Sequence, residues 1–356
     1  MKTNADNFEY IDFHTHMHDK AFDLDSSEVM QSILDKNIAC VTIGTDIVES
    51  RRAKALSDKY FNFKNKEGVT CSNIFYTIGV HPHDELSATF DNNNEKDFEE
   101  LLYILDENGN KIKNKMCVAI GECGLDYFYL KSDKEKGLIE NMDREVDKQK
   151  DIFINQIKFA IKHNLPLMIH GRCSVKDEID NPTGMDAYED ILEILEKFYK
   201  KEIRNENRLG NNSQEKVIED KKEIINGNVH FFVGDIKIAQ RFIDIGFTFS
   251  FGGVLTLTQD YDEVIRYIPI ERIHAETDSP YVNPKDKDGK KIILSIEKSL
   301  QNKTEEERKL IEKNNRNRNS SENIGVIVAK IAELKSLDLE IVKIKLKQNF
   351  ANFLRL

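Results

Sequence analysis

Residues 10–16 read Tyr-Ile-Asp-Phe-His-Thr-His, a short apolar run closed by two histidines one residue apart. Alternate side chains of a strand share a face, so His14 and His16 leave a first strand side by side, about 6–7 Å apart along the backbone. That spacing suits one metal ion gripped by both rings. Alone the pair is a weak signal, but apolar runs ending in His or a carboxylate recur along the chain. Strand candidates fall at 9–13, 38–44, 74–80, 116–122, 165–170, 228–233, 246–251 and 272–276. Their near-continuous hydrophobicity fits strands covered on both faces, as in a parallel sheet. Amphipathic stretches at 27–36, 143–163, 186–200, 235–244, 259–267, 322–335 and 338–353 lie between or after them, and Ser26-Ser27 can cap the first. Strands and helices alternating in this way predict an α/β fold, a TIM (β/α)8 barrel. A doubly wound open sheet is the alternative, lowered because no glycine-rich phosphate loop follows the first strand.

A length of 356 residues suits one such barrel, a single domain over 1–356. Three polar segments, 87–97, 200–226 and 283–319, read as surface-loop insertions, with a solvated helix possible over 303–314. Basic residues of the third segment are available to a polyanion, although a solvated loop is the preferred reading. No apolar stretch approaches the roughly 20 residues of a membrane span. Residues 1–9 lack an apolar signal core, so a cytoplasmic or nuclear location is expected. The five cysteines, Cys40, Cys71, Cys117, Cys123 and Cys173, show no paired spacing and read as reduced thiols. Nothing marks an obligate protein partner, and a monomer is expected. The net charge of −11 argues against a basic coat for nucleic acid. It does not exclude an enzyme that meets phosphates through metal ions, because a divalent cation dominates its local field.

The chemistry sits at the strand ends. The first carries His14 and His16, the third runs into His81-Pro82-His83, and the fourth ends in Glu122. The fifth ends in His170-Gly171-Arg172, the sixth holds His230, and the eighth runs into Glu276-Thr277-Asp278. In a barrel these ends share the rim where active sites are built. Seven of the nine histidines lie there, the exceptions being His163 and His274, which are expected to be unrelated to the site. His and carboxylate donors without thiolate suit Zn²⁺, Mn²⁺ or Mg²⁺. A carboxylate bridging two ions about 3.5–4 Å apart activates water and clamps a phosphodiester, and Glu122, mid-rim, is the natural bridge. His83 reads as structural, and Asp126 and Tyr127 as supports for the loop after Glu122.

The ordered set His-x-His, Gly-Val-His-Pro-His, Ile-Gly-Glu-x-Gly-Leu-Asp-Tyr, His-x-Arg, His-x-x-x-Gly and Glu-Thr-Asp-Ser-Pro-Tyr resembles the TatD family of metal-dependent deoxyribonucleases. The closing Asn349-Phe350-Ala351-Asn352-Phe353-Leu354-Arg355-Leu356 resembles that family's last helix. The resemblance implies a TIM barrel that hydrolyses DNA phosphodiester bonds, often as a 3′→5′ exonuclease, with two divalent metal ions. Carried over by motif, His14, His16 and Asp278 hold one ion, His170 and His230 the second, and Glu122 bridges. His81 and Arg172 then face the substrate phosphate, and Asp278 takes a proton from the attacking water. The chain departs from the pattern twice. A carboxylate expected soon after His-x-His is displaced, with His18 then Asp19, and an Arg-Asn-Glu-Pro block reads Arg318-Asn319-Ser320-Ser321. The second change puts the local loop, and a contact to Asp278 or its neighbours, in question. Two other readings stay open: a different hydrolase on the same barrel (an aminoacyl-tRNA ester deacylase or an amidohydrolase), and a metal-binding scaffold without turnover.

Overall fold

The computed structural model describes residues 8–64, 70–83, 90–91, 93–177, 181–208, 226–301 and 303–354. Within the first polar segment, 87–89 and 92 lie outside the described residues, as do 209–225 of the second. Eight strands form one sheet: β1 (Tyr10–Thr15), β2 (Ile38–Thr42), β3 (Ile74–Ile78), β4 (Cys117–Asp126), β5 (Leu167–Arg172), β6 (Gly227–Val229), β7 (Thr248–Phe251) and β8 (Ile273–Ala275). They are hydrogen-bonded in chain order and every neighbouring pair is parallel. This is the (β/α)8 barrel that the alternation predicts. β2 and β3 are buried at every position, as strands between a barrel interior and a helical layer must be.

The seam between first and last strand closes at the rim. The Asp278 amide donates to the His14 carbonyl at 2.9 Å, and the His16 amide donates to the Ser279 carbonyl at 2.6 Å. Below them the Phe13 and His274 rings stack, centroids 3.8 Å apart. The seam therefore joins three expected site residues through their own backbone.

The surrounding helices are α1 (Ser26–Asp35), α2 (Ile47–Lys59), α3 (Glu95–Leu101), α4 (Leu130–Glu135), α5 (Met142–His163), α6 (Asp186–Arg208), α7 (Ile236–Asp244), α8 (Asp262–Tyr267), α9 (Glu305–Asn314), α10 (Ile324–Lys335) and α11 (Leu339–Phe353). Side-chain caps fix several starts: Asp46 accepts from the Glu49 amide, Asn141 from Arg144 and Asp235 from Ile238. α2 has no clear apolar period because its buried face is Ser50, Ala53, Leu56 and Ser57, mostly small residues. The second polar segment begins inside α6, which continues to Arg208.

The third segment is not uniformly a surface loop. Its end is core: Arg318 is 2% exposed and grips Asp25 through two nitrogens at 2.8 and 2.6 Å. Asn319 is fully buried and donates to the carbonyls of Thr277 and Val282 at 3.0 and 3.2 Å. The residue before Asp278 is thus held without the Glu-Pro pair of the resembled family. Ser321 lies against Thr15, their hydroxyls 3.3 Å apart. No helix of the described residues is long and apolar enough to cross a membrane.

β4 runs four residues past the expected end. Gly121 and Gly124 make this possible, with φ of +149° and +136°. A Cβ on Gly124 would stand 2.0 Å from the His170 carbonyl oxygen, and one on Gly121 2.3 Å from that of Met168. The two strands press together with a register shift between Ile120 and Cys123. Glu122 therefore lies within β4, beside His170.

Candidate active site

Five strands deliver the site's six residues. β1 carries His14 into the barrel mouth and the residue after its end supplies His16. β4 supplies Glu122, β5 His170, and the residue after β6 His230. Asp278 follows β8 in a left-handed conformation, φ 51°, which Asp tolerates better than most residues. All converge on the Glu122 carboxylate. Its Oε1 is 2.8 Å from His230 Nε2, 2.9 Å from His170 Nδ1 and 3.7 Å from His81 Nε2. Its Oε2 faces the other side, 3.4 Å from His14 Nε2 and 3.9 Å from His16 Nε2. Asp278 Oδ1 closes that side at 3.5 Å from His16 and 3.8 Å from His14. The two oxygens of one carboxylate thus face two separate groups of imidazoles.

The donor set fits divalent metal. His14, His16 and Asp278 bring ligand atoms within 4.8 Å of one another, as do His14, Glu122 and His230. Nitrogen-to-oxygen gaps of 3.4 to 3.9 Å around His14 and His16 are too long for good hydrogen bonds and leave room for an ion. The His14 and His230 rings stack in parallel at 3.7 Å, and His14 Nδ1 is buried without a hydrogen bond.

The electrostatics follow from burial opposed by close charge. Burial alone would raise the Glu122 carboxyl, but His230, His14 and His81 outweigh it and hold it well below the usual range. Asp278 is likewise lowered: burial opposes, and the close imidazoles of His16 and His14 prevail. Burial pushes His170 down, yet its bonds to Asp126 and Glu122 lift it to about 9. His230 is raised well above its usual value, Glu122 overcoming burial. His14 is lowered, burial being reinforced by His230. Both carboxylates are ionised at neutral pH.

Carboxylates also stand behind two of the histidines. Asp126 Oδ2 is 3.1 Å from His170 Nε2, and Glu276 Oε1 is 3.7 Å from His230 Nδ1. The same Glu276 oxygen accepts from the Phe231 amide at 2.7 Å, fixing the turn after His230, where Phe231 has φ 46°. Asp12 accepts from the Thr277 amide at 2.8 Å and its hydroxyl at 2.5 Å, and burial pushes its carboxyl up to about 7. The sequence reading took Asp126 for a loop support and passed over Glu276 and Asp12. The available signal was period: Asp12 precedes His14 by two residues, and Glu276 precedes Asp278 by two, the spacing of one strand face.

A cleft of about 470 Å³ opens over the site, lined among others by His16, His81, Glu122, Asp278 and Tyr281. His81 stands on its wall. Arg172 does not line it: its guanidinium lies over the rings of Phe128 and Tyr129, at 4.0 and 4.7 Å, and donates to the Tyr129 hydroxyl at 3.3 Å. His18, where the motif pattern is displaced, also lines the cleft, bonded to the Thr42 hydroxyl at 2.7 Å and facing Glu49 at 3.4 Å. His83 pairs with Asp133 at 2.9 Å, and His163 meets the Tyr103 hydroxyl at 3.3 Å.

Comparison with known proteins gives the family and the fold. The family described as TatD related DNase matches residues 11–355. The chain is 28% identical over 277 residues to the uncharacterized metal-dependent hydrolase YabD of Bacillus subtilis (strain 168), covering 77% of this chain and 81% of that protein. Among solved structures, the TatD homolog YJJV from Escherichia coli k12 superposes with a TM-score of 0.62 at 17% identity, covering 98% of each chain. An uncharacterized amidohydrolase from Saccharomyces cerevisiae superposes equally, 0.62 at 18% identity, over 97% of this chain and 99% of that one. Both structures share the fold. The chain belongs to the TatD-related DNase family, a family of metal-dependent hydrolases.

Proposed function

We propose that this TatD-family hydrolase cleaves DNA phosphodiester bonds, releasing nucleotides from a strand end in the 3′→5′ direction, with two divalent ions at one site. The observation that supports it most is Glu122, one carboxylate whose oxygens face two separate imidazole groups. His14, His16 and Asp278 would hold one ion, His170 and His230 the other, with Glu122 shared. Bound there, such ions polarise the phosphoryl oxygen and lower the pKa of water, with Mg²⁺ the expected ion and Zn²⁺ or Mn²⁺ able to serve.

The protein residues supply the rest. Asp278 is ionised, faces the cleft, and its Oδ1 can accept a proton from attacking water. His81, on the wall, donates to a non-bridging phosphate oxygen and offsets charge that grows there. His16, His14 and His230 keep Asp278 and Glu122 ionised despite burial. The direction of attack follows the family resemblance.

The test is incubation of the purified protein with end-labelled single- and double-stranded DNA, with Mg²⁺, Mn²⁺ or Zn²⁺ and with chelator. Metal-dependent shortening from the 3′ end is expected, falling at least about 10²-fold in Glu122→Ala and Asp278→Asn. Full-rate cleavage by either variant refutes the assignment. Turnover of aminoacyl esters or amides by a metal-loaded protein that leaves DNA intact replaces the reading with a deacylase or amidohydrolase.

A further inference from the structure

A second groove, larger at about 550 Å³, is lined by Leu257, Lys285, Asp286, Lys287, Lys330 and Glu333 among others. Its wall is a short hairpin in the segment after β8, where Lys285 bridges antiparallel to Lys291. The hairpin is tightly built. The Lys285 amide donates to the Thr256 hydroxyl at 2.8 Å, and the Ile292 amide to the Pro284 carbonyl at 2.9 Å. At its tip Asp286 Oδ1 accepts from the amides of Asp288 and Lys290 at 3.0 and 2.9 Å, and Gly289 takes φ +78°. Lys285 at the bridge and Lys287 in the turn both line the groove. Neither makes an ion pair among the described residues, whereas Lys330 across the groove is engaged by Glu333 at 2.7 Å.

One stretch of chain supplies a residue to each cleft. Tyr281 lines the catalytic cleft, 52% exposed, its ring 5.8 Å from that of His16. Lys285 follows it by four positions, so the two Cα atoms lie within about 14 Å of each other. An exposed aromatic ring followed by unpaired cations on a fixed scaffold is the chemistry that binds single-stranded nucleic acid: bases stack on the ring and phosphates meet the amines. On a chain of net charge −11, cations free of carboxylate partners are where a polyanion gains most.

We propose that this groove holds the uncleaved part of a DNA single strand, with Tyr281 stacking the base beside the scissile phosphate and Lys285 and Lys287 taking the next phosphates. This rests on the nuclease reading above. It assigns to the third polar segment the task of gripping the strand beyond the metal site.

The test compares wild type with Lys285→Ala/Lys287→Ala on a dinucleotide and on a long single-stranded oligonucleotide, over a range of salt. The double variant is expected to keep dinucleotide turnover and kcat, to raise KM for the long strand about tenfold, and to lower the log–log salt slope of binding by about 1.4, near 0.7 for each lost phosphate contact. Tyr281→Ala is expected to raise KM for the long strand while Tyr281→Phe, which keeps the ring, restores it. Wild-type KM and salt slope in the double variant overturn the groove while leaving the nuclease reading intact. Binding of a fluorescent oligonucleotide under chelator separates the two ideas further. Lysine-dependent binding without any cleavage after metal is restored keeps the groove and refutes the nuclease. Binding indifferent to both lysines refutes the groove.

Discussion

Replacing Asp126 by Asn tests the idea that carboxylates behind the histidines tune the metal site. The change keeps volume, and Asn retains the oxygen that accepts from the Phe128 amide at 3.0 Å. What changes is the atom facing His170 Nε2 at 3.1 Å, from an acceptor to an amide donor. Facing a carboxylate, His170 keeps a proton on Nε2, so Nδ1, 2.9 Å from Glu122 and 3.3 Å from His230, is the nitrogen that gives up its proton and offers a lone pair when metal binds. Facing an amide donor, the ring prefers the other tautomer, with a proton on the nitrogen a metal needs. Loss of such a carboxylate partner costs 10- to 100-fold in metal affinity, about 1.4–2.7 kcal/mol. Titration calorimetry on the chelator-stripped protein, backed by competition with a chromophoric chelator, reads the effect. The expected result is weakening by that factor at the ion position His170 serves, with the position of His14 and His16 unchanged. Wild-type affinity at both positions in a variant that melts normally would refute the reasoning.

Three further outcomes follow from the same geometry. His170 is raised from 6.5 to about 9 in the folded metal-free protein, so folding binds its proton more tightly; the resulting stability is complete below pH 6.5 and is lost as pH rises to 9, about 3 kcal/mol in all. Thermal melts of chelated protein should fall across that window, and metal affinity should rise as the proton leaves; flat curves contradict the site. Arg318→Met leaves Asp25 buried and unpaired and should cost about 3–5 kcal/mol by urea unfolding, whereas a loss below about 1 kcal/mol would show that the pair does not hold this loop. Gly124→Ala forces a methyl against the His170 carbonyl, 2.0 Å away, and should cost about 1–3 kcal/mol and weaken metal binding; an unchanged melt and metal titration would show that the two strands can part freely.

Much of the barrel and of the candidate site was legible in the sequence because both depend on local pattern. Continuous apolar runs mark strands buried on two faces, and a barrel places their ends on one rim, so His14, His16, Glu122, His170, His230 and Asp278 could be collected before any contact was known. α2 was invisible because its buried face is two Ser, one Ala and a single Leu, too few apolar residues to mark a period. The length of β4 was missed because a glycine reads as a strand end, whereas here Gly121 and Gly124 allow two backbones to touch. Arg172 was expected to face phosphate from its place in His-x-Arg; only packing shows its guanidinium on Phe128 and Tyr129.

The sequence determined residue type and spacing along single strands, and those fix which side chains share a face. The tertiary structure alone decided which faces meet. It turned the two oxygens of Glu122 toward different strands, set Asp126 and Glu276 behind His170 and His230, and buried Arg318 against Asp25 and Asn319 against the carbonyls of Thr277 and Val282. Each of these joins residues far apart in the chain, where the distance is set by strand register and seam closure rather than by local period.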